Sequence, residues 1–166
     1  LCFGEAYRPF DEERFLARLP GPPFLFVERI TRLEGKPLVQ AAGGRLEGQF
    51  DLNPQAWFFR ANRQRTLPFA VLLEFPLQVC GWMSAYMGSA LTSEKKLQYR
   101  NLDGKATLHR QVDWSAGTLT AHVDVTKVAT SGGMIIQGFS FRVTQAGQDV
   151  YTGDTVFGFF TPEALA

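Results

Sequence analysis

The stretch FAVLLEFPLQVCGWMSAYMGSAL, from Phe69 to Leu91, decides how the 166-residue chain folds. It runs for 23 residues, and Glu74 carries its single charge. Length alone would let it cross a membrane. That charge, with Gln78 and Pro76 nearby and polar strand-like segments downstream, argues instead for a helix buried inside a soluble fold and apolar nearly all round. Thr66-Leu67-Pro68 supplies a start, since proline suits a first helical turn. Pro76 is expected to kink the helix, because it removes an amide donor and crowds the preceding turn.

Downstream the period switches to two. Leu119, Ala121, Val123 and Val125 alternate with Thr118, Thr120, His122, Asp124 and Thr126, giving one buried and one wet face. Residues 134–143 and 150–160 read as further strands, punctuated by Gly132-Gly133 and Gly147. Residues 97–113 read as one long strand, or as two split at Asn101-Leu102-Asp103-Gly104. Upstream, Phe24 to Ile30 and residues 38–50 read as two more strands. Asn53-Pro54 marks a turn before Trp57-Phe58-Phe59. Residues 1–23 form a lead-in, with a short helix expected from Asp11 to Leu19 that places Phe15, Leu16 and Leu19 on one face. A lone apolar helix must be wrapped. An antiparallel sheet curled around it does so, which gives an α+β fold of hotdog outline over residues 1–166.

Composition narrows the function. Hydrophobic residues make up 45% and charged residues 20%, ordinary for one globular domain, and Phe, at 15 residues, dominates the aromatics. A net charge of +1 gives no basic surplus for nucleic acid. Cys2 and Cys80 are too far apart for a metal pair, and a disulfide framework is absent. A reducing, cytoplasmic setting is the default. The first residue is Leu and no leader pattern opens the chain, so the expectation is a fragment cut from something longer.

Glu74 is the first candidate for chemistry. A carboxyl on an apolar helix is costly to bury charged, so burial favours a form that can donate a proton. The plain alternative is a side chain that reaches solvent at a helix edge or pairs with an arginine. Gln78, one turn later on the same face, either holds the carboxyl or serves as a satisfied polar residue. The histidines, His109 and His122, read as exposed or sheet-edge imidazoles, and neither makes a metal pair. Cys80 reads as a small core residue. Arg60, Arg63 and Arg65 form a polar turn that meets a phosphate or lies solvated.

Several stretches together resemble the hotdog β-hydroxyacyl-carrier-protein dehydratases, above all the dehydratase-like domains of polyunsaturated-fatty-acid synthases and related iterative polyketide or glycolipid megasynthases. They are Leu19-Pro20-Gly21-Pro22-Pro23-Phe24 with Glu28-Arg29-Ile30, which look like the entry to the family's first strand, and Asp51 through Phe59, which looks like the approach to its active-site strand. Pro68, Leu72-Leu73-Glu74, Leu77-Gln78, Cys80-Gly81-Trp82 and Tyr86 through Leu91 follow, with Tyr99 through Gly104. In that family a His just after the aromatic-Phe pair removes the substrate's α-proton. A helix carboxylate protonates the departing β-hydroxyl, and the two come from facing hotdogs. The resemblance carries the acid to Glu74 and its support to Gln78. It implies substrate contacts at Phe58, Phe59, Pro68 and Phe69. The His position falls at Asn62, and no histidine occurs between Leu1 and Leu108.

Asparagine cannot accept a proton at neutral pH, and general-base catalysis is worth about 100- to 10,000-fold. The expectation is therefore a pseudo-dehydratase, or the acid-bearing half of a double hotdog. Its partners would be a second hotdog and an acyl carrier protein, whose phosphopantetheine carries the substrate, with no other cofactor and no metal. A hotdog thioesterase, with Glu74 activating water, and a purely structural domain are the rivals. Phe69 or Phe75 plugging the way to Glu74 would mark the structural domain.

Overall fold

The computed structural model describes residues 3–12, 17–93, 96–115 and 117–165. Six strands appear among them: β1 (Arg29–Glu34), β2 (Arg45–Asp51), β3 (Gln98–Leu108), β4 (Thr118–Ser131), β5 (Met134–Gln145) and β6 (Gln148–Phe160). They pair antiparallel throughout in one sheet, ordered β1-β2-β4-β5-β6-β3. The helices are α1 (Pro9–Glu12), α2 (Trp57–Asn62) and α3 (Phe69–Tyr86). This is the α+β hotdog arrangement, with α3 lying against β2, β4 and β5.

The alternation read in the sequence makes the wrap. Leu119, Ala121, Val123 and Val125 of β4 are all buried, together with Leu46 and Phe50 of β2 and Phe139, Phe141 and Val143 of β5. Phe75, Val79 and Cys80 of α3 are fully buried against them. Each such Phe or Val contributes about 1.5–3 kcal/mol by leaving water. The helix passes close over Gly48, where an added Cβ would stand 2.7 Å from Val79 Cγ2. Gly48 pairs with Ala121 across the sheet, so two small residues make the floor under the helix.

Local chemistry sets the boundaries. α3 begins after Pro68 as expected, but it ends at Tyr86 rather than running to Leu91. Gly88, at φ 81°, turns the chain left-handed, and the Met87 amide closes on the Met83 carbonyl at 2.9 Å. The helix continues through Pro76, which removes only the amide that would bond the Leu72 carbonyl. Two-residue turns at Gly132-Gly133 and Ala146-Gly147, all at positive φ, close the β4–β5 and β5–β6 hairpins.

Other expectations need correction. Trp57-Phe58-Phe59 opens the helix α2, not the approach to a strand. Among the described residues of the lead-in, a 3-10 turn spans Glu5–Tyr7 and an α-helix spans Pro9–Glu12. Leu19 lies outside any helix, and Phe15 and Leu16 fall outside the described residues. The first strand begins at Arg29 instead of Phe24, and the second at Arg45. Of the two readings of residues 97–113 the single strand holds, though it ends at Leu108, and the alternative split survives only as a register shift between Asn101 and Asp103. No helix among the described residues is long and apolar enough to cross a membrane.

Candidate active site

α3 carries residues 74, 77, 78, 81, 84 and 85 along one side, the spacing of a single helical face. All six border one cleft of about 240 Å³. Tyr99 and Asn101 of β3 and Phe159 of β6 stand across it, and residues 17–20 of the lead-in supply another wall.

The Gln78 side chain is the hub. It is buried, and its Oε1 accepts from the Phe26 amide at 2.8 Å. Its Nε2 donates to the Phe24 carbonyl at 2.7 Å and to Glu74 Oε1 at 3.0 Å. The backbone fixes the amide's orientation. An N–H must face the oxygen and a carbonyl must face the NH₂, so Glu74 is met by a donor. The same bonds explain the late start of β1: Phe24 and Phe26 spend their backbone groups on a helix side chain, not on a neighbouring strand. Glu74 is half-buried at the cleft wall rather than sealed. The carboxyl is thus both held and reachable.

Burial, chiefly, holds the Tyr99 hydroxyl above its ordinary range, with Cys80 and Glu74 adding to it. Tyr99 is therefore a neutral O–H at physiological pH, its ring edge-on to Phe157 and Phe159. Burial likewise pushes up the Cys80 thiol, which is inert core. Neither imidazole borders the cleft. His109 Nε2 lies 2.8 Å from Thr152 Oγ1. His122 lies between Glu47 Oε1 (3.2 Å) and Thr144 Oγ1 (3.1 Å).

Asn62, the last residue of α2, is exposed and borders a different cleft, with Pro68 and Phe69. Glu74 and Asn62 therefore do not meet within one chain. Phe58 and Phe59 are 5% and 2% exposed and pack in the core, bordering neither cleft. Phe69 is half exposed, edge-on to Tyr151, and Phe75 lies against Phe50, so neither plugs the Glu74 cleft. Arg60, Arg63 and Arg65 are exposed, with Arg65 over the Trp114 ring. Among the described residues no cluster of His, Cys, Asp or Glu could hold a metal ion.

The sequence alone gives no role to Gly81, Ser84, Ser89, Tyr99 or Asn101. Gly81 and Ser84 lie on the face that Glu74 starts, so helical spacing could have found them. Tyr99 and Asn101 reach the cleft by strand pairing alone and carry no local signal.

Fold and site define a dehydratase-like hotdog domain, and the family is shown directly. The FabA-like domain family matches residues 19–154, and the chain belongs to it. It is 29% identical over 175 residues to one of the polyunsaturated fatty acid synthase proteins of Thraustochytrium sp. (strain ATCC 26185 / S-3), an alignment that takes in 99% of this chain and 12% of that protein. The fold is that of the dehydratase heterocomplex ApeI:P of Xenorhabdus doucetiae (TM-score 0.63, 14% identity, 92% of this chain and 93% of that one). It also matches a hypothetical thioesterase of Streptococcus pneumoniae (TM-score 0.52, 11% identity, 81% and 88%).

Proposed function

We propose that this hotdog is the acid-bearing half of a dehydratase site in fatty-acid or polyketide biosynthesis, completed by a histidine from a second hotdog. One observation carries the reading: Gln78 presents Glu74 to a cleft that neither imidazole of the chain borders. With Oε1 bonded to Gln78, Oε2 is the oxygen that carries the proton. The partner's imidazole takes the C2 proton of a 3-hydroxyacyl thioester. The C2–H electron pair forms the C2=C3 bond, the C3–O bond breaks, and Glu74 protonates the departing oxygen as water. Unpaired, the domain is a pseudo-dehydratase.

The second hotdog has a place to dock. β3 lies at the sheet's edge and is exposed along its whole length. Leu102 and Leu108 on it, with Phe69 at the start of α3, are exposed apolar residues. Such an edge invites a further strand. The substrate would arrive on the phosphopantetheine of an acyl carrier protein in the cytoplasm, with Pro68 and Phe69 near the Asn62 cleft along its path. The exposed Arg60, Arg63 and Arg65 are suited to its phosphate.

A second reading has its own support. Glu74 is part-buried at the cleft wall and receives a hydrogen bond, as a carboxylate activating water would, and a thioesterase shares the fold. The test incubates the chain with a 3-hydroxyacyl pantetheine thioester, with and without a His-bearing hotdog. Enoyl thioester that forms only in the mixture, and is lost in Glu74→Gln, supports the split dehydratase. Release of free thiol by the chain alone supports the thioesterase. Neither product in any mixture leaves the pseudo-dehydratase.

A further inference from the structure

The cleft that Glu74 borders continues past Gly81 to Ser84 and Ser89. Ten residues of α3 separate Glu74 from Ser84, about 15 Å at the helical rise. A cleft drawn out over that length along one helical face suits an extended chain.

Its far end is polar, which a plain alkyl chain does not need. The buried Ser84 Oγ donates to the Cys80 carbonyl at 3.1 Å, so its proton is spent and its lone pairs face other groups. Ser89 Oγ donates to the Ser84 carbonyl at 2.8 Å and accepts from Gln137 Nε2 at 2.7 Å and from Gln40 Nε2 at 3.3 Å. Gln137, one hydrogen bond behind this wall, is 0% exposed, and its Oε1 has no hydrogen-bond partner. A buried acceptor without a donor is costly and rarely left so. Ser89 is thus fully bonded, and Ser84 Oγ is the acceptor at the far end with lone pairs to spare.

We infer that the cleft selects linear acyl chains bearing a hydroxyl near the far end, which donates to Ser84 and exchanges a lost hydration bond for a protein one. This rests on the cleft being an acyl site. Ser84 is then a specificity-determining residue, and the fitting substrates are oxygenated chains rather than plain hydrocarbon.

Calorimetric titration of the chain with dodecanoyl pantetheine and with ω-hydroxydodecanoyl pantetheine tests it. The hydroxylated chain is expected to bind about three- to tenfold tighter, the worth of one net hydrogen bond. Ser84→Ala, a helix-favouring change of little volume, should remove that advantage and bring the two chains to equal affinity. Equal or tighter binding of the plain chain, or an advantage that survives Ser84→Ala, overturns this inference and leaves the acyl site standing. Binding of neither chain by protein that circular dichroism shows to be folded overturns the acyl site and the inference with it.

Discussion

Gln78 binds Glu74 across one turn of α3 while the same amide straps the Phe24–Phe26 backbone to the helix, so the acid's support and the lead-in's anchor are one side chain. Removing it should therefore show in stability before it shows in chemistry. Gln78→Leu leaves the Phe26 amide and the Phe24 carbonyl without partners, a loss of about 2–4 kcal/mol. In urea the midpoint should fall with the slope unchanged. An unmoved midpoint would show that the strap is unimportant.

The crossing of α3 over β2 makes a second prediction. Gly48→Ala sets a methyl group 2.7 Å from Val79 Cγ2, in a core with no slack. The overpacking should cost about 1–3 kcal/mol. Val79→Ala should recover part of that loss in the double variant, because the two positions touch. Additive losses by thermal melting would place the strain elsewhere.

Acid should loosen the outer end of β2. Arg29 binds both oxygens of Asp51, at 2.6 and 2.8 Å, and Thr118 Oγ1 donates to it at 2.5 Å. Arg29 first, then Thr118, holds the Asp51 carboxyl well below the usual carboxylate range. The folded state thus prefers the ionised form. Its contribution is complete above the unfolded carboxyl's pKa of about 4 and declines as pH falls below it. The pair is half exposed, so the effect is modest. Melting temperatures between pH 5 and pH 2 should fall less in Asp51→Asn than in the parent. A parallel fall would contradict the assignment.

The fold's main elements were legible for a physical reason, and the misses have one too. α3 could be read because its one charge sits in 23 residues, and β4 because Leu119 to Val125 keep a strict period of two. Trp57-Phe58-Phe59 resembled the family's approach to a strand. It folds as a helical turn because two of the three rings enter the core together, near Phe26 and Phe50. Phe24 to Phe26 looked like strand because no local pattern announces that Gln78, 52 residues from Phe26, takes its backbone bonds. At the site, Glu74 and Gln78 stood out as polar residues on an apolar face. The wall opposite, from Tyr99 and Asn101, and the Ser89–Gln137 bond depend on pairings that only the folded sheet makes.

The exposed edge of β3 carries a prediction about assembly. Leu102→Lys puts a charge on the free edge without touching the buried core. Sedimentation should show weaker association, with itself or with a His-bearing hotdog, at an unchanged circular dichroism spectrum. Association as tight as the parent's would move the interface off this edge.

The most direct test of the central claim reads the base alone. The chain is placed in D₂O with a 3-hydroxyacyl pantetheine thioester, and deuterium entering C2 is followed by NMR. A site with a proton donor but no imidazole should leave C2 unlabelled beyond the protein-free rate, and exchange should begin when a His-bearing hotdog is added. Exchange catalysed by this chain alone, at the Glu74 cleft, would contradict the account.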